Sequence, residues 1–135
     1  LNRFLLDTNV VSEPLRPKPN RILIARLREH ETELALPSIV WHELLFGCAS
    51  LPVGVKRTAI EDYLNSIPWI ILPYDSEAAE WHAQERARLQ RLGKTPTFPD
   101  GQIAAIAVTQ KLTLVTLNRR DFQNFKGVNL ADWTR

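Results

Sequence analysis

Four acidic residues stand where chemistry could be done: Asp7 in FLLDTNVVSEPL, Glu43 in SIVWHELLFG, Asp100 in FPDGQIAAIAV and Asp121 in LVTLNRRDF. Each has a structural reading to be weighed first. Asp7 can cap a helix that Thr8 and Asn9 begin, and Thr97 and Asp100 have capping-box-like spacing. Asn118 and Asp121 repeat that spacing, with Arg119 and Arg120 between them. Glu43 resists such a reading. Its helical neighbours three and four positions away are Ile39, Val40, Phe46 and Gly47, so the spacing predicts a carboxylate on an apolar face with no cation beside it. A buried, unpaired carboxylate costs several kcal/mol or takes up a proton. Asp100 shares the problem, since Ile103 and Ala104 bring no charge and Gly101 leaves room for close approach.

If the acids converge, they need protons or cations, because two carboxylates about 4 Å apart repel by roughly 1 to 4 kcal/mol at plausible effective dielectrics. A divalent cation answers that need, and all-oxygen ligation suits Mg²⁺ or Mn²⁺. Zinc is disfavoured by the single cysteine, Cys48, and by the absence of ligand-like spacing among His30, His42 and His82, which are expected at the surface or partly packed. A metal held by carboxylates, with open water positions, is suited to hydrolysing a phosphodiester. No phosphate-binding glycine loop or GxSxG elbow offers another nucleophile. Arg16, Lys18, Arg86, Arg91, Lys94, Arg119 and Arg120 are candidate contacts for a nucleic-acid backbone.

The elements that would position these groups alternate. RFLL before Asp7, ELALPS around Leu34 to Leu36, WIILPYD from Trp69 and LTLVTLN from Leu112 read as buried strands, with a short one around Val128 to Leu130. Helical spacing covers Arg21–Glu29, Ser38–Ser50 with Ser38 as its cap, Val55–Ser66, Ser76–Leu92 and Asp100–Gln110. PLRPKPN reads as a rigid bend, and GKTPTFPDG ends one helix at Gly93 and starts the next. Such alternation predicts one α/β domain over 1–135, its central twisted sheet mainly parallel, of four to five strands and flanked by helices. Ligand sites in such sheets gather beyond the carboxyl ends of the strands. Asp7, Thr116, Asn118 and Asp121 fall at or just past such ends, and Glu43 lies on a helix that follows another.

Composition narrows the classes. At 135 residues, with 44% hydrophobic and 24% charged residues, the chain matches soluble globular proteins rather than disordered or membrane ones. The net charge is only +2, but arginines cluster, which favours an anionic partner. One cysteine excludes an internal disulfide and fits a reducing compartment, so a cytoplasmic location is expected, with no signal peptide and no membrane span. Trp41, Phe46, Trp69 and Trp81 are expected in the core more than at an interface.

Taken in order, FLLDTNVVSEPL, the glutamate of SIVWHELLFG, FPDGQIAAIAV and LVTLNRRDF resemble the PIN-domain ribonucleases, specifically the VapC and FitB type of toxin in type II toxin–antitoxin pairs. SEPLRPKPN resembles the FitB-like branch most. The resemblance implies a Mg²⁺- or Mn²⁺-dependent endoribonuclease whose acidic pocket is Asp7, Glu43, Asp100 and Asp121, supported by Thr8, Asn9, Thr116 and Asn118. Asp7 and Asp100 would hold the principal ion, Glu43 and Asp121 would orient waters or a second one, and the products would carry 5′-phosphate and 3′-hydroxyl ends. It also implies a homodimer and a small DNA-binding antitoxin whose tail covers the active site, with Arg16, Arg86, Arg119 and Arg120 as candidate RNA contacts. Leu117 departs from the pattern, since many such proteins carry arginine between the threonine and asparagine. Three alternatives stay open on the residues: a PIN domain that binds RNA or antitoxin without cutting, a PIN-like nuclease of RNA processing or DNA repair, and a phosphorylated receiver domain. The last lacks paired acids after the first strand and has Asn118 where a lysine is wanted.

Overall fold

The computed structural model describes all residues 1–135. Five strands, β1 (Phe4–Leu6), β2 (Leu34–Pro37), β3 (Ile70–Leu72), β4 (Thr113–Val115) and β5 (Leu130–Ala131), form one sheet in the order β3-β2-β1-β4-β5. Every pairing is parallel. Helices connect them: α1 (Thr8–Ser12), α2 (Arg21–Glu29), α3 (Ser38–Ala49), α4 (Val55–Asn65), α5 (Ser76–Arg91), α6 (Phe98–Thr109) and α7 (Arg119–Phe122). Parallel neighbours cannot be joined by a hairpin, so each crossover carries helix, and helices flank the sheet.

The chain builds outward from β1 to β2 and β3, then returns to lay β4 and β5 on the other side. Strand order therefore reverses between β1 and β4, the place where open parallel sheets form a crevice beyond their carboxyl ends. Leu6 pairs with Val115, so the next residues of the two strands, Asp7 and Thr116, are brought side by side. The core lies behind this crevice, with Leu5, Leu6, Leu36, Leu114 and Val115 buried in the strands and Ile103 to Ala107 buried in α6.

Local chemistry sets the element ends. Asn20 accepts a hydrogen bond from the Leu23 N–H at 3.0 Å and caps α2; Asp75 does the same for Ala78 at 2.9 Å and caps α5. Helix α5 ends in a Schellman motif: Gly93 has φ +73°, the Lys94 N–H donates to the Leu89 carbonyl at 2.9 Å, and the Gly93 N–H donates to that of Gln90 at 3.0 Å. In the proline bend, a 3₁₀ turn over Glu13–Leu15 precedes buried Glu13's bonds to the Arg16 guanidinium and the Asn20 N–H, both at 3.3 Å.

Four expectations need correction. β3 is not a buried strand: Ile70 and Ile71 are 52% and 39% exposed, because β3 is the sheet edge with no strand beyond it. Ser38 is the first residue of α3 rather than its cap; Pro37 precedes it and makes no side-chain cap. Phe46 is 65% exposed instead of buried, while Trp41, Trp69 and Trp81 pack partly against the core. Helix α6 also begins two residues before Asp100, at Phe98, since Thr97 caps it and Pro99 favours its first turn.

Candidate active site

Asp7 is the most constrained of the four acids. It ends β1, caps α1 through its own side chain, and is 8% exposed. One carboxylate oxygen accepts from the Thr8 N–H and the other from the buried Thr116 hydroxyl, both at 2.8 Å. The Thr116 hydroxyl accepts in turn from the Asn118 N–H at 3.0 Å, tying the turn after β4 to the same point. Of the expected supporting positions, Thr116 thus acts through its side chain and Thr8 and Asn118 through their backbone, while Asn9 is exposed without a side-chain hydrogen bond. Leu117 between them packs against the core.

Asp100 sits half-buried in the first turn of α6, where its N–H donates to the Thr97 hydroxyl at 3.3 Å. Burial pushes its carboxyl above the usual 3.8, Thr97 opposes this, and the charges of Asp121, Asp7 and Glu43 add to the rise. Asp7 is raised as well, chiefly by burial, against the hydrogen bonds from Thr116 and Thr8, with a contribution from Asp121. Asp100 therefore lies within electrostatic reach of all three other acids. None of the four is in an ion pair.

Glu43 differs from expectation. It is exposed, because α3 buries the stripe Val40, Leu44 and Cys48, packs Ile39 and Trp41 only partly against the core, and turns the side that carries Glu43, Leu45 and Phe46 outward. Asp121, in α7, is exposed too. With Asp100 it lines a groove of about 290 Å³ whose other walls include Lys94, Thr97, Arg120 and Asn124. The candidate RNA contacts separate accordingly. Arg120 lines the groove, Arg86 lies beside it, and Arg119 is exposed near Asp132, whereas Arg16 is engaged by buried Glu13.

The donor set fits a hard divalent ion. Two raised, unpaired carboxylates within electrostatic reach of each other, Asp7 at the switch point and Asp100 at the start of α6, are groups that a cation would stabilise, and Mg²⁺ typically takes one or two carboxylates and keeps its waters. No three His, Cys, Asp or Glu side chains are gathered closely enough to hold an ion among themselves, so an ion on Asp7 and Asp100 would take its other ligands from water.

Sequence reasoning missed three supporting groups. His82 is buried, 3% exposed, and not at the surface; its Nδ1 lies 2.8 Å from the Tyr74 hydroxyl, and burial followed by the Arg86 charge lowers its pKa. It fits against α6 only because residue 101 is glycine: a Cβ there would stand 2.0 Å from its Nε2. Buried Glu85 accepts two bonds from Arg88, at 2.6 and 2.8 Å, and one from the Lys126 N–H at 2.5 Å; Arg88 also donates to the Asn124 carbonyl at 2.9 Å. This clamp fastens the segment after α7, and hence the Asp121 wall, to α5. The Arg88 bonds hold the Glu85 carboxyl below the usual range. The i, i+3 spacing of Glu85 and Arg88 was visible, but its burial was not.

The chain matches the PIN domain family over residues 4–128. It is 38% identical to Toxin FitB of Neisseria gonorrhoeae over 95% of this chain and 94% of that protein. It is 33% identical to the tRNA(fMet)-specific endonuclease VapC of Salmonella typhimurium, over 97% and 98% of the two chains. Among solved structures, FitAcB from Neisseria gonorrhoeae superimposes with a TM-score of 0.87 at 36% identity, covering 96% of each chain. With its strand order, its switch-point acids and these likenesses in agreement, the chain belongs to the PIN-domain family, among the VapC and FitB toxins.

Proposed function

We propose that this protein is a Mg²⁺- or Mn²⁺-dependent endoribonuclease and the toxin half of a type II toxin–antitoxin pair. The observation that carries the reading is that buried Asp7 at the β1/β4 switch point and half-buried Asp100 at the start of α6 lie within electrostatic reach of each other, both raised in pKa and both without a paired cation. Ribonuclease and endonuclease names among the relatives, and toxin–antitoxin complexes among similar solved structures, support it. The antitoxin would be a small DNA-binding protein whose tail covers the acids, and the working unit would be a homodimer.

In this reading Asp7 and Asp100 hold the ion, which when bound supplies charge neutralisation and an acidified water for phosphodiester hydrolysis. Thr116 and the Thr8 N–H fix the Asp7 carboxylate, one oxygen each, and leave each oxygen a further lone pair for the ion. Glu43 and Asp121, being solvated, accept hydrogen bonds from water at the rim and orient it. Lys94 and Arg120 bring positive charge to the groove that the acids would otherwise make repulsive to phosphate. The test is cleavage of a defined RNA pool by purified, antitoxin-free protein with Mg²⁺ or Mn²⁺, alongside EDTA and Asp100→Asn controls. Discrete products that need the metal and vanish in the variant are expected. Products indifferent to both would refute the assignment.

A further inference from the structure

Beside the acidic groove lies a second, smaller notch of about 150 Å³ lined by Arg86, Gln90, Thr95 and Pro96. The two share Thr95 and Pro96, so the loop between α5 and α6 is a common wall and the depressions are adjacent. Arg86 and Arg88 belong to the same helix but have opposite employment. Arg88 is spent on Glu85 and the Asn124 carbonyl, whereas Arg86 makes no ion pair and holds its guanidinium 5.3 Å from the centre of the Phe98 ring. Phe98 is 47% exposed and lies two residues before Asp100. Its inner side is set by the His82 ring at 4.8 Å and by Tyr74 at 6.3 Å, and His82 is in turn seated in the space that Gly101 leaves open. The ring is thus a fixed platform at the first turn of α6, with a free cation next to it. A cation flanked by an exposed aromatic, continuous with a groove that would bind a phosphodiester, is the combination by which proteins hold unpaired nucleotides.

We propose that this notch is a subsite for a nucleotide adjoining the scissile phosphate of single-stranded RNA, with Arg86 on the backbone and the Arg86–Phe98 pair stacking its base. The proposal rests on the ribonuclease reading and adds to it a direction: the strand leaves the acids over Thr95 and Pro96 toward α5. Gln90 supplies the amide at the far wall, and nothing in the notch selects one base by a fixed set of donors and acceptors. The subsite therefore favours an unpaired strand over a duplex, whose bases are already stacked on each other.

The test combines binding and cleavage. Fluorescence anisotropy of a short fluorescein-labelled single-stranded RNA is measured with Asp100→Asn protein, alone and with Arg86→Ala, Arg86→Lys, Phe98→Ala, Phe98→Tyr or Lys56→Ala added, across a salt series. Cleavage of the RNA pool is measured with the same substitutions in otherwise unaltered protein, and thermal melts report folding. Arg86→Ala and Phe98→Ala should each weaken binding about tenfold and raise KM more than they lower kcat. Arg86→Ala should also flatten the slope of log K against log[salt] by about 0.7, the value for one phosphate contact on a single strand. Phe98→Tyr should restore binding, Arg86→Lys should restore the salt slope, and Lys56→Ala, remote on α4, should change neither. Cleaving protein whose binding, KM and salt slope ignore both alanine substitutions would overturn the subsite while leaving the nuclease intact. Absence of any RNA binding by the folded protein, even at low salt, would overturn the subsite and the ribonuclease reading together.

Discussion

Helices α3 and α6 are each 12 residues long, both apolar almost all the way round, and both carry one acid of the site. Their placement is opposite. Helix α6 is wedged among α3, α5, α7 and β4 and buries Gly101 and Ile103 to Ala107 without interruption. Helix α3 buries a single stripe and leaves Leu45 and Phe46 44% and 65% exposed. Apolar composition therefore marks a surface that something must cover, but does not say whether the same chain covers it. The two acids inherit this difference. Asp100 is held half out of water, where its charge is costly until a cation arrives, and Glu43 stands in solvent.

The comparison is most sharply broken by paired substitutions of those acids. Asp100→Asn should reduce cleavage about 1,000-fold, the equivalent of roughly 4 kcal/mol of lost metal-dependent stabilisation. Glu43→Gln should cost about tenfold, as for groups that orient a ligand without gripping the ion. Steady-state kinetics on one RNA would decide, and equal losses would mean that α3 positions its acid as firmly as α6.

Glycines at 47 and 101 test the same contrast in the fold. Gly101→Ala drives a Cβ to 2.0 Å from the buried His82 ring, an overpacking that should cost about 1 to 3 kcal/mol and lower the melting midpoint by about 5 °C or more. The sign of pH dependence offers a finer test. Because Asp7 and Asp100 are raised in the folded, metal-free protein, the folded state binds more protons than the unfolded one above 3.8. The contribution of these two groups to stability should therefore fall as pH rises from that value through their folded pKa values, and hold steady beyond them, opposite in sign to that of Glu85, whose carboxyl is lowered. Metal-free Asp100→Asn should melt above the wild type at neutral pH, the gap closing on acidification, while Mg²⁺ should raise only the wild type; calorimetry checks both. The smallest effect is expected on α3. An added Cβ at Gly47 meets nothing within 4 Å, so Gly47→Ala should stabilise by about 0.5 to 1 kcal/mol through helix propensity.

Most helix ends and the loop prolines were legible because they depend on residues close in sequence, although α6 starts two residues and the last strand two residues away from where they were expected. The expected helices over Arg21–Glu29 and Val55–Ser66 correspond to α2 and α4 to within a residue. The position of Asp7 was legible for a further reason, as an acid ending an apolar strand in an alternating chain lies at the carboxyl edge of the sheet. Burial was not legible where it depends on a distant partner. Ile70 and Ile71 look like core residues until the sheet order leaves β3 at an edge. Glu85 looks like a solvated helix acid until Asn124 and Lys126 close over it, and His82 looks like a surface histidine until α6 offers a glycine to pack on.

The hydrogen bond between Asp7 and Thr116 joins residues 109 positions apart. A growing chain emerges amino end first, at about 5 to 20 residues per second, and contacts so distant along the sequence form only after the intervening chain exists. Asp7 is made well before the hydroxyl that orients it and the carboxylate at position 121. A chain interrupted before residue 116 therefore carries the β1 side of the crevice without the β4 side that orients it.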